Sequence, residues 1–301
     1  MLQYIIAGLV LGGIYAIASS GLVITYEASG ILNFAFGAMA FFIARFYYFL
    51  HVQHGMGIYL AAFIAIFIAS PLLGILLYYA LFQHLRLSTP LVKVVATLGL
   101  SVAIPAAAIW MFGNISILKA PGLAPEPVHV FKFLDTPVTM DQLIVYICVV
   151  LTVVFGFVVL RFTEVGLKVR SMVDSPAMTS LSGTNPARVS VGVWAVSSIF
   201  IGLAGILAAP IIGLDAGYFT LLMAAAFAAV VAARLRSLPV AVVTALAMGI
   251  ATSLIQYLLP ISSPWTAKVI AAVPFAFIGV FLIYNLVLKR DLSDTQRAVS
   301  Y

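Results

Sequence analysis

His51 and His54 stand three residues apart, a spacing that sets two imidazoles on one face of a helical turn and so could hold a metal ion. No acid or cysteine lies beside them in sequence to complete a ligand set, and both read better as side chains at a membrane interface. His84 and His129 also fall at a span end or in a loop. There is no HExxH or GxSxG arrangement and no Gly-rich loop ending in Gly-Lys-Ser or Gly-Lys-Thr. The chain therefore carries no zinc-protease helix, no serine-hydrolase elbow and no phosphate cradle. Cys148 lies inside an apolar run and reads as a small buried hydrophobe. No catalytic residue, metal site or cofactor is expected, and the chain does not read as an enzyme.

Charges inside a bilayer are expensive and usually functional, so their positions come next. Glu27 sits at the inner end of the first apolar run and Asp215 at the outer end of the sixth, while Arg45 lies in the outer third of the second, within reach of the interface by snorkelling. The centres of the runs carry almost none. A proton or ion relay has no visible components, which favours energy supplied from outside the chain.

The elements that hold these residues follow from composition. Of the 301 residues, 64% are hydrophobic and 8% charged, with a mean hydropathy of +1.20. Soluble domains are about 45–50% apolar and about 25% charged. The apolar runs are continuous rather than alternating, so the chain reads as an all-α integral membrane protein, not a barrel. Candidate spans are 2–26, 30–50, 57–82, 91–112, 141–161, 188–211, 218–233, 238–259 and 266–288. The first has no basic region ahead of it and no cleavage site, so it reads as a retained span. With the N-terminus outside and nine crossings, eleven of the fifteen Lys and Arg lie inside, as the positive-inside rule requires. The short seventh run is the one whose crossing the sequence leaves open. The expectation is a single domain over 1–301, a polytopic bundle of about nine spans with the C-terminus inside. The net charge of +6 is spread over several loops and does not suggest nucleic acid.

Two polar stretches interrupt the bundle. Residues 113–140 carry four prolines and form an outer loop, either a connector or a surface for an external partner. Residues 163–187 lie inside. There Ser175 can cap a helix opened by Pro176, and Gly183 can stop it about two turns later. Asn185-Pro186 repeats the start signal and opens the next span. Met178 and Leu181 share one face of this short helix. A two-turn helix is unstable alone in water, so it must pack on its own bundle, on the membrane surface or on another protein. The segments 30–44 and 235–251 echo each other faintly, each placing small or helix-breaking residues at the start of an outward-running helix, as transporter repeats do.

These residues resemble a known family. In "GLVLGGIYAIASSGLVITYEASGILNFAFGAM", Gly8, Gly12, Tyr15, Ala16, Gly21, Leu22, Tyr26, Asn33, Phe34, Ala35 and Gly37 match the opening of the branched-chain amino-acid ABC importer permeases. Thr97–Ser101, "TLGLS", is similar to that family's fourth-span signature. Gly166, Arg170, Leu181, Gly183, Asn185, Arg188 and Val189 match its cytoplasmic loop, and "GLAGILAAP" at 202–210 also fits.

The resemblance implies an inner-membrane permease subunit of an ATP-driven importer, carrying a small polar organic solute, branched-chain or related amino acids foremost, by alternating access. Its partners would be a second homologous permease, two cytoplasmic ATP-binding subunits and an external solute-binding protein. The short helix would couple to an ATPase through Arg170, Ser175, Pro176, Met178, Leu181 and Gly183. Candidate pathway and hinge residues are Tyr15, Asn33, Phe34, Gly37, Thr97 and Gly99. A stand-alone secondary transporter or channel is the alternative. One departure stands out: the family's Gly-Gly-x-Gly-Ser element is here "AARLRS", with Ala232, Ala233 and Leu235 in place of the glycines and Ser237 kept.

Overall fold

A bilayer core offers no partner for backbone N–H and C=O groups, so the apolar runs fold into helices that satisfy their own. The computed structural model describes residues 1–85, 88–113, 117, 119–125, 130–133, 136–164, 166–169, 185–234, 237–259 and 264–299. In chain order the helices are α1 (Leu2–Ser29), α2 (Phe36–Tyr48), α3 (Ile58–Phe82), α4 (Pro90–Phe112), α5 (Met140–Phe162), α6 (Pro186–Ile212), α7 (Ala216–Ala232), α8 (Leu238–Leu258) and α9 (Pro264–Val299). Two π-helical stretches, Ile64–Ala69 and Tyr78–Phe82, lie within α3, and a third, Phe49–Gln53, extends α2. Among the described residues seven helices are long and apolar enough to cross a membrane, and α2 and α7 are shorter. The protein is a multi-pass helical membrane protein.

Local chemistry sets several boundaries. The Asn185 side chain accepts from the Ala187 N–H at 2.9 Å with Pro186 behind it, as the Asn-Pro pair predicts. Thr139 and Gln142 form a reciprocal capping box that opens α5. The second span was expected from residue 30, but α2 begins at Phe36. Gly30 takes a left-handed conformation, φ 62°, and the Asn33 side chain accepts from the Ala35 N–H at 2.9 Å, which holds the intervening chain in a turn. The last span was expected to end at 288, yet the helix continues to Val299. The outer loop carries an antiparallel hairpin of β1 (Val130–Phe133) and β2 (Thr136–Thr139), registered from Val130 opposite Thr139 to Phe133 opposite Thr136. That hairpin, with the isolated bridge between Ile117 and Leu214, departs from an all-α reading.

Helix α1 is the central post. It runs antiparallel to α8, with Gly8 against Ile250 and Gly12 against Leu246. A Cβ on either glycine would come within 2.7 Å of the α8 backbone, so the two helices touch main chain to main chain. On its other sides α1 packs on α6, beside Gly21, and on α5, whose Tyr146 hydroxyl donates to the Ile6 carbonyl at 2.7 Å. Ser70 on α3 donates to the Ser198 carbonyl on α6. Helices α4, α5 and α9 lie at the periphery with large exposed apolar side chains, Trp110 the most exposed at 87%.

The shortness of α7 has a geometric cause. Leu214, just ahead of it, pairs with Ile117 in the loop that leads to the hairpin. Yet Phe219, in the first turn of α7, packs edge-on against Phe41 near the start of α2. About 18 Å of further helix separates Phe41 from Gln53. The start of α7 is therefore sunk well below the hairpin end of the bundle. From there α7 runs the other way, ending close before α8 turns back alongside α1.

Candidate functional site

The break between α1 and α2 forms the floor of a groove of about 640 Å³, walled by α4 on one side and by α7 and α9 on the other. Leu98, Ser101, Val102 and Pro105 form one stripe along α4. Ala216, Gly217, Thr220, Ala224, Phe227 and Val231 form another along the whole of α7. No lining residue is charged. The two side-chain hydroxyls are already committed to their own helices, Ser101 to the Leu98 carbonyl at 2.7 Å and Thr220 to the Ala216 carbonyl at 3.0 Å. A solute here would be held by shape and apolar contact. Asp215 lies outside the lining and caps α7, accepting from the Gly217 N–H at 2.8 Å.

The pathway candidates separate into three groups. Phe34 and Gly37 line the groove. Phe34 stacks on Phe227 with centroids 4.6 Å apart, and the Gly37 N–H donates to the Met223 sulfur at 3.1 Å. A Cβ on Gly37 would lie 2.5 Å from the Phe219 carbonyl oxygen, so glycine is what lets α2 pass this close to α7. Asn33 and Thr97 are buried behind the floor: Asn33 shapes the turn, and the Thr97 hydroxyl lies 2.8 Å from the Val94 carbonyl and 3.4 Å from that of Leu32. Tyr15 and Gly99 lie elsewhere. Tyr15 packs on Ala225, Ala228 and Met248, between α7 and α8, and Gly99 looks into open space. The α4 and α7 stripes went unread because both helices are apolar all round, which removes the contrast that marks a face.

Arg170, Ser175, Pro176, Met178, Leu181 and Gly183 lie outside the described residues. Ahead of them Lys168 and Glu164 pair at 3.5 Å. In the "AARLRS" turn, Arg234 takes a left-handed φ of 52°, unusual for a side-chain-bearing residue and close to where the family pattern has glycine. Arg45 turns inward rather than snorkelling: it is 2% exposed and donates to the Gly113 carbonyl at 2.8 Å, at the C-terminal end of α4.

A second cavity, of about 790 Å³, opens at the hairpin end. His51 lines it, with Nδ1 2.7 Å from the Met56 carbonyl and its ring stacked on Tyr47. His54 packs on Phe49 instead, so the two histidines have different neighbours. Among the described residues no cluster of three or more His, Cys, Asp or Glu could hold a metal ion.

The curated relatives include the high-affinity branched-chain amino acid transport system permease protein LivH of Escherichia coli K12, 23% identical over 263 residues, covering 84% of this chain and 85% of the relative. LivH of Salmonella typhimurium is 23% identical over 269 residues at the same coverage. Among solved structures, a chain of PsaBC from Streptococcus pneumoniae in complex with Fab superposes with a TM-score of 0.54, at 12% identity, over 91% of this chain and 89% of that one, a likeness of fold. Residues 4–279 match the family described as branched-chain amino acid transport system / permease component. With nearly its whole length inside that match, the chain belongs to this family of membrane permeases.

Proposed function

We propose that this chain is the membrane subunit of an ATP-driven importer for amino acids, set in the inner membrane with nine crossings, the N-terminus outside and the C-terminus inside. The observation that carries the reading is the family match over residues 4–279, and the uncharged groove along α7 is its candidate pathway wall. A second, related permease closes it into a pathway. No carboxylate lines it, which fits work drawn from ATP hydrolysis on separate subunits rather than from an ion gradient. The segment 175–183, for which the sequence predicts a short capped helix, docks on an ATPase subunit, and its movement switches the side to which the pathway opens. An external binding protein delivers the solute.

The test is uptake of labelled L-leucine into proteoliposomes holding the full assembly. Uptake is expected only with the ATPase subunits and ATP present. Gly183→Trp or Met178→Asp is expected to abolish both uptake and solute-stimulated ATP hydrolysis while membrane insertion stays normal. Uptake by this chain alone would establish a stand-alone carrier and overturn the proposal.

A further inference from the structure

The cavity at the hairpin end shares no lining residue with the groove, so it is a separate space. Its volume of about 790 Å³ is within the range of small-molecule sites. Val10 of α1, Val145 of α5 and Leu207 of α6 line it with apolar surface. Lys119, Asp141 and His51 line it with charge and hydrogen-bonding capacity. Lys119 and Asp141 face the same cavity without forming an ion pair with each other. Opposite charges that face one cavity beside apolar surface suit a ligand that carries both signs at one end and a hydrocarbon body at the other.

The loop bearing Lys119 is tied down. The Ala124 N–H donates to Asp141 Oδ1 at 2.9 Å, and the Tyr47 hydroxyl donates to the Gly122 carbonyl at 2.8 Å. The cation is thus carried on a loop strapped to the helix that bears the anion, which reduces the ordering needed on binding. The His51 Nδ1 lies 2.7 Å from a carbonyl, to which only an N–H can donate; in the neutral ring that leaves Nε2 as the acceptor.

We propose that this cavity is a reception site for a zwitterion with an apolar body, a free amino acid before it reaches the groove. Lys119 takes the carboxylate, Asp141 takes the ammonium with His51 as a second acceptor, and the side chain lies on the apolar floor. The inference rests on reading the chain as an amino-acid permease and adds a site that the pathway does not contain. A phosphatidylethanolamine headgroup has related chemistry, and the experiment separates the two.

The purified full chain is placed in nanodiscs of phosphatidylcholine and titrated with radiolabelled L-leucine, then L-phenylalanine. Saturable binding is expected. Isoamylamine, which lacks the carboxylate, and 4-methylpentanoate, which lacks the ammonium, should compete at least tenfold less well than unlabelled leucine. Asp141→Asn keeps an oxygen for the Ala124 N–H, and Lys119 is exposed, so neither Asp141→Asn nor Lys119→Gln threatens the fold. Each should weaken binding tenfold or more, while Lys268→Gln, which removes a cation away from both cavities, should change it less than twofold. Absence of saturable binding, binding indifferent to Asp141→Asn and Lys119→Gln, or equal competition by the singly charged analogues overturns the proposal. Competitive loss of leucine binding when phosphatidylethanolamine is added to the nanodiscs assigns the cavity to lipid and also overturns it. ATP-driven uptake undiminished in both variants would locate the failure here, whereas no uptake by the unmodified assembly would sink the functional reading instead.

Discussion

At the residue scale Arg45 is the most demanding side chain in the bundle. A guanidinium buried among apolar helices is tolerable only if its donors are satisfied. It reaches a terminal carbonyl of α4, which carries partial negative charge from the helix dipole, and its guanidinium lies 5.7 Å from the ring centre of Tyr48. It therefore acts as a C-terminal cap for α4 supplied by α2. Arg45→Met removes a charge-assisted hydrogen bond of about 1.5–3 kcal/mol and should lower the thermal unfolding midpoint in detergent. Arg45→Lys should recover part of that, because an ammonium keeps the charge but not the reach and planar fork. An unchanged midpoint for Arg45→Met would show that the cap carries no net stability. The sequence reading sent Arg45 to the interface by snorkelling; its buried partner Gly113 is distant in sequence, and only folding brings the two together.

At the element scale the α1–α8 seam decides whether the bundle closes. Without a hydrophobic drive between helices in lipid, close backbone approach and dispersion must hold them. A Cβ at position 12 already meets α8 main chain, so Gly12→Val must push the helices apart. Overpacking of this kind costs about 1–3 kcal/mol. Gly12→Val should reduce the folded yield and shift thermal unfolding downward, while Gly99→Ala, whose Cβ meets nothing, should leave both unchanged. Equal behaviour of the two variants would refute a tight seam. Asn185-Pro186 marked the start of α6 correctly. The α1–α2 break was less legible, because residues 30–36 are as apolar as a span and only the Asn33 side-chain turn and left-handed Gly30 interrupt it.

For the whole molecule, charge sets the orientation in the membrane. The distribution of Lys and Arg argues for an external hairpin end and an internal C-terminus. In a Cys148→Ala background, Lys119→Cys should react with a membrane-impermeant maleimide in intact cells, and Ser293→Cys only after permeabilisation. The reverse labelling pattern would overturn the orientation. On the proposed reading a second membrane subunit covers the groove between α4 and α7, since a groove left open cannot confine a solute.

The sequence by itself determined that the chain lives in a bilayer, that its runs are helical, where capped helices such as α6 begin, and which family pattern it carries. Those are properties of composition and of caps within a few residues of each other. Only the tertiary structure decided which helix faces meet: the sunken start of α7, the groove between α4 and α7, and the meeting of Lys119, Asp141 and His51 around one cavity. The reason is physical. In a helix apolar on every side, burial leaves no periodic trace, and partners far apart in the chain become neighbours only when backbone-to-backbone packing sets the bundle.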